Sequence, residues 1–143
     1  MDKQRREFIK NSCSLCASLL GLAIILPTLQ SCSTLQSFPS NVKSGNIDVP
    51  KTTFTPENKI VLIKNVPSEF EIALVELGPG NYKAFVLECT HQSTSLVATK
   101  NGFFCNAHGS SFSLDGKVKN PPATRNMKEL PISLSEQFIS ISI

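Results

Sequence analysis

Beyond residue 51 the apolar positions fall in short runs rich in Val, Ile and Phe, broken by turn residues at close spacing, and nowhere sustain a helical period. Runs at 60–64, 71–77, 82–87, 96–99, 103–104, 130–134 and 138–143 predict antiparallel strands. In the last, Ile139, Ile141 and Ile143 alternate with Ser140 and Ser142, as a strand with one wet face requires. Gly78-Pro79-Gly80-Asn81, Lys100-Asn101-Gly102 and Asp115-Gly116 mark turns between neighbours, and Asn-Gly and Asp-Gly favour hairpins. The prediction is a small all-β domain, antiparallel throughout, whose thin core gains from a metal clip. Upstream the pattern changes twice. Residues 15–26 are the centre of an uncharged apolar stretch, whereas 33–50, rich in Ser, Thr, Asn and Pro, lack a hydrophobic period and predict a flexible tether.

The N-terminal pattern reads as an address. Arg5-Arg6-Glu7-Phe8-Ile9-Lys10 ahead of the apolar stretch gives a basic region followed by an apolar one, the layout of a signal peptide. It resembles the twin-arginine export signal, with Arg5 and Arg6 as the pair and Ile9 where that pattern has Leu. Export of this type carries folded proteins, which implies a cofactor inserted before crossing. Leu29-Gln30-Ser31-Cys32 resembles a bacterial lipobox, which implies lipidation of Cys32. The organisation expected is a signal peptide at 1–31, a lipidated tether at 32–50 and a folded domain at 51–143. The domain would then be held at a membrane of the bacterial cell envelope, on the periplasmic side or at the cell surface. A tether of about eighteen residues reaches about 20 to 25 Å. The alternative is a retained anchor, although 13–29 is close to the lower limit of about 17 residues for a spanning helix and contains Pro27.

Charge narrows the function. Of the formal +3 on 143 residues, Lys3, Arg5, Arg6 and Lys10 against Asp2 and Glu7 place most in the first ten. The remainder is nearly neutral with interspersed signs, which excludes a nucleic-acid footprint. Of five cysteines, Cys13, Cys16 and Cys32 lie in or beside the apolar segment, leaving Cys89 and Cys105 for the domain. That is no disulfide framework.

The only two histidines stand beside those two cysteines, as Cys89-Thr90-His91 and Cys105-Asn106-Ala107-His108. Each pair follows a predicted strand and opens a turn, and the hairpin between them would bring the two tips together. Two thiolates and two imidazoles suit zinc or an iron-sulfur cluster. Zinc sites of Cys2His2 type usually pair Cys with Cys and His with His, whereas here each loop gives one of each, which favours the cluster. The arrangement C-x-H followed by C-x2-H resembles the Rieske signature, in which two Cys hold one iron and two His the other. Gly109-Ser110 after His108, Phe112, Asp115-Gly116 and Asn120-Pro121-Pro122-Ala123 extend the resemblance from about residue 60 onward.

The resemblance implies a Rieske-type 2Fe-2S cluster held by Cys89 and Cys105 on its buried iron and by His91 and His108 on its outer iron. It also implies a serine, Ser110, that donates to cluster sulfur. Phe112 stands where high-potential members carry a tyrosine donor, and Thr94 and Ala107 stand where members in cytochrome bc-type complexes carry a disulfide. Losing the tyrosine donor disfavours the reduced cluster, so the potential is expected below that of quinol-oxidising members, within roughly −150 to +300 mV, and Phe112→Tyr is expected to raise it. The function expected is one-electron transfer, as a membrane-tethered carrier or the Rieske subunit of an exported oxidoreductase, with redox proteins as partners. A complete oxygenase needs a second iron site with further histidines, and none remain. The alternative is a surface lipoprotein with structural zinc and a binding or scaffolding role.

Overall fold

The computed structural model describes residues 35–143. Arg5, Arg6 and Cys32, and with them the expected export signal and lipobox, lie outside the described residues.

The domain is all-β. A five-stranded sheet runs β1 (Gln36–Pro39), β4 (Ile60–Lys64), β5 (Ile72–Gly78), β6 (Asn81–Val86) and β11 (Glu129–Leu130), in that order across the sheet. Alternate residues of its central strands enter two different cores. Ile60, Ala73, Val75 and Phe85 face one way, and Val61, Ile63, Ile72, Leu74 and Ala84 the other. Strands buried on both faces read as continuous apolar runs rather than as alternation, which is why Ile60–Lys64 and Ile72–Gly78 are so uniformly hydrophobic.

On one face lies a sheet ordered β12 (Ile132–Leu134), β13 (Phe138–Ser142), β3 (Asn46–Pro50) and β2 (Val42–Lys43). Ile47, Val49, Ile139 and Ile141 fill the core beneath it. On the other face lies the sheet that carries the site, ordered β10 (Val118–Asn120), β9 (Ser111–Phe112), β8 (Gly102–Phe104) and β7 (Val97–Thr99). Its core holds Phe103, Phe112, Cys89 and Cys105 together with Phe85 of the central sheet, and the Phe85 and Phe103 rings meet edge to face at 6.1 Å.

Three expectations are corrected. Residues 36–50, read as part of a flexible tether, form three strands. Ile47 and Val49 are fully buried, and β3 pairs with the whole of β13, Ile47 opposite Ile141 and Val49 opposite Ile139. Two apolar residues in a five-residue strand are too short a period to stand out among polar neighbours, and the partner strand lies some ninety residues away. The sheet is also not antiparallel throughout, because β1 pairs parallel with β4. Finally, the run 130–134 is two strands, not one: Pro131 has no N–H to continue a ladder, so the chain leaves the central sheet there and re-enters the outer one. Its carbonyl still accepts from Ser142 N–H at 3.0 Å.

Candidate metal centre

Two loops carry all four candidate ligands. The first follows β6 and runs from Cys89 to Thr94; the second follows β8 and runs from Cys105 to Ser110. The β7–β8 hairpin joins them, as expected from the sequence. Both loops are closed by the same pair of backbone hydrogen bonds. Cys89 N–H donates to Thr94 O at 2.8 Å and Ser93 N–H to Cys89 O at 2.9 Å; Cys105 N–H donates to Ser110 O at 2.8 Å and Gly109 N–H to Cys105 O at 3.0 Å. The fifth residue of each, Ser93 at φ 41° and Gly109 at φ 80°, takes the left-handed conformation that turns the chain back.

This geometry sorts the side chains by depth. Cys89 and Cys105 at the loop bases are fully buried, while His91 and His108 nearer the tips are exposed. The imidazole rings lie edge to face with centroids 5.0 Å apart. Burial pushes the Cys105 thiol up, but hydrogen bonds from the Thr94 hydroxyl, from the backbone N–H groups of His108 and Ala107, and with the Cys89 thiol outweigh it and hold the group below its ordinary value. The Thr94 hydroxyl lies 3.2 Å from Cys105 Sγ.

A third loop, between β10 and β11, packs against both. Ser110 is fully buried, and its hydroxyl oxygen accepts from Ala123 N–H at 2.9 Å. Its own O–H proton is not used in that bond and remains available to a second acceptor. Thr90 Oγ1 donates to Arg125 O at 2.6 Å, and the Arg125 guanidinium returns a bond to Thr90 O at 3.4 Å. Phe112 is buried in the same core as the two cysteines. Thr90 and Arg125 were not singled out from the sequence, and Thr94 was noted only as a position where relatives carry a disulfide cysteine, not for its hydroxyl. A signal for Thr94 existed: a hydroxyl residue stands five positions after each cysteine, Thr94 after Cys89 and Ser110 after Cys105.

The donor set consists of two pairs at two depths, thiols below and imidazoles above. Among the described residues no three His, Cys, Asp or Glu side chains converge as a site for a single ion requires. A Rieske cluster needs two protein ligands on each of two irons, thiolates on one and imidazoles on the other, and the pairs fit that demand.

The comparisons agree with this chemistry. The family described as Rieske [2Fe-2S] domain matches residues 38–131. No curated protein matches the chain. Among solved structures, the plasma membrane Rieske protein PetC3 of the cyanobacterium Synechocystis PCC 6803 is 25% identical, with a TM-score of 0.51 over 59% of this chain and 87% of that one. A chain from the complex of reduced oxygenase and oxidized ferredoxin in carbazole 1,9a-dioxygenase, 18% identical, shares the fold with a TM-score of 0.53 over 70% of this chain and 94% of that one. With more than half of its length matched, the chain belongs to the Rieske [2Fe-2S] domain family, whose members bind a Rieske-type 2Fe-2S cluster.

Proposed function

We propose that the protein transfers single electrons through a Rieske cluster held by Cys89, His91, Cys105 and His108, as a membrane-tethered carrier or the Rieske subunit of an exported oxidoreductase. The observation that carries this reading is the division of the four side chains into a buried thiol pair and an exposed imidazole pair on two loops of one backbone design. The cluster, when bound, supplies reversible one-electron chemistry. The chain supplies the rest: Cys89 and Cys105 anchor from a dry core, the Thr94 hydroxyl lies against Cys105 Sγ, Ser110 keeps a free O–H proton to donate, and His91 and His108 form the surface that a redox partner reaches.

Export through Arg5-Arg6 and lipidation at Cys32 complete the proposal. The similar PetC3 is itself a plasma membrane protein, which favours a membrane setting. Because β1 begins at Gln36, only residues 33–35 separate it from Cys32. Four residue steps span at most roughly 14 Å, so a domain lipidated there works close to the membrane surface rather than at the arm's length first expected.

The test is an EPR spectrum of the dithionite-reduced protein, made without residues 1–31 in cells that assemble iron-sulfur clusters. A rhombic Rieske-type signal, lost in His108→Ala, is expected. A colourless sample that contains zinc and no acid-labile sulfide would instead establish the structural lipoprotein.

A further inference from the structure

Thr94 is held from two sides. Its carbonyl accepts from Cys89 N–H at 2.8 Å, which fixes the residue to the base of the first loop. Its hydroxyl crosses to the second loop and lies 3.2 Å from Cys105 Sγ. It is half-buried, while Cys105 is fully buried. A free thiol and a hydroxyl can each donate in such a pair, but a thiolate bound to metal has no proton, and the hydroxyl is then the only donor. Its direction is therefore fixed by ligation.

We infer that Thr94 is a positioning residue that sets the reduction potential, its hydroxyl donating to the Cys105 sulfur from the opposite loop. This rests on the proposed ligation of the cluster by Cys105. Reduction adds negative charge that spreads onto the sulfurs, and a donor aimed at sulfur stabilises the reduced form more than the oxidised one. Thr94 Oγ1 ties the two loops to each other, whereas Ser110 and Thr90 each tie one loop to the third.

The experiment is direct voltammetry on cluster-loaded wild type, Thr94→Val, Thr94→Ala and Thr94→Ser, with the EPR spectrum of each recorded first. Val keeps the shape and removes the hydroxyl; Ala removes it without a branch, so that a misfolded Val variant does not decide the matter. Both hydroxyl-free variants are expected to be harder to reduce by about tenfold in the equilibrium constant, a fall of 59 mV for one electron. Ser restores the wild-type potential. An unchanged potential in either cluster-loaded hydroxyl-free variant overturns the inference, as does a fall that Ser fails to restore. Absence of the Rieske signal from the wild type would overturn the ligation itself, and so distinguishes failure of that reading from failure of the role of Thr94.

Discussion

The loops 89–94 and 105–110 are closed by the same two backbone hydrogen bonds, yet their side chains share only the cysteine, a histidine and a terminal hydroxyl. The histidine comes two residues after Cys89 but three after Cys105. The left-handed position is a serine in the first loop and a glycine in the second. The first loop is clipped to the third by a side-chain donor, Thr90 to Arg125 O; the second by a buried acceptor, Ser110 to Ala123 N–H. A closed six-residue loop with its cysteine at the base therefore needs no particular sequence beyond the cysteine. What differs is burial, and burial sets the cost of damage. The second loop, with its serine fully buried, should be the more fragile partner.

The largest effect comes from disturbing the hairpin that holds the loops side by side. Gly102 has φ +137°, and a Cβ there would stand 2.2 Å from the Phe112 carbonyl oxygen, with further backbone at 3.3 and 3.4 Å. The obstacle is backbone on a neighbouring strand, so no side-chain motion relieves it. Gly102→Ala is expected to cost about 3 to 5 kcal/mol, a large share of a domain's stability. Urea unfolding measures it, and a loss below about 1 kcal/mol would mean that β8 and β9 slide freely. Such sliding would remove the basis for treating the two loops as a fixed pair.

Next comes the difference between the clips. Ser110→Ala leaves the buried Ala123 N–H without a partner, at about 1 to 3 kcal/mol. Thr90→Val removes a bond at a half-buried site where water can substitute, at about 0.5 to 1 kcal/mol. Thermal unfolding of the two variants should rank them in that order. Ser110→Ala is also expected to lower the potential measured by voltammetry, because it removes a free hydroxyl proton. Equal losses would mean that the first loop is as tightly sealed as the second.

How much of this was legible in the sequence depends on whether the signal was local. Strand β4 was predicted to the residue at 60–64, and β5, β6, β7, β8 and β13 to within one or two residues at each end. Each is a run of apolar residues with a turn beside it. The ligand candidates were legible because they are the chain's only histidines beside the domain's only cysteines. Strands β1, β2 and β3 were not, because β1 and β3 pair with β4 and β13, which lie further along the chain, and β2 is two exposed residues paired with β3. Ser111–Phe112 and Val118–Asn120 are too short to carry a period of their own. The Thr94 contact joins two loops through the hairpin, and only the folded chain brings those atoms together.

The smallest effect sharpens the comparison most directly, because it exchanges the two loops' left-handed residues. A Cβ on Gly109 meets nothing within 4 Å, so Gly109→Ala costs the backbone strain of a non-glycine at φ +80°, about 1 to 2 kcal/mol, less the roughly 0.5 to 1 kcal/mol that a stiffer unfolded chain returns. Ser93 already bears that strain at φ 41°. Ser93→Gly relieves it in the folded state but frees the unfolded chain, which offsets about 0.5 to 1 kcal/mol, so the net change is a gain of about 0.5 to 1 kcal/mol. The asymmetry arises because one loop has paid the strain and the other has avoided it. In a domain of this size about 1 kcal/mol moves the unfolding midpoint by roughly 4 to 8 °C, so Gly109→Ala should melt a few degrees lower and Ser93→Gly a few degrees higher. If both variants shift in the same direction, the fifth residue is not what turns the two loops, and their likeness rests on the closing hydrogen bonds alone.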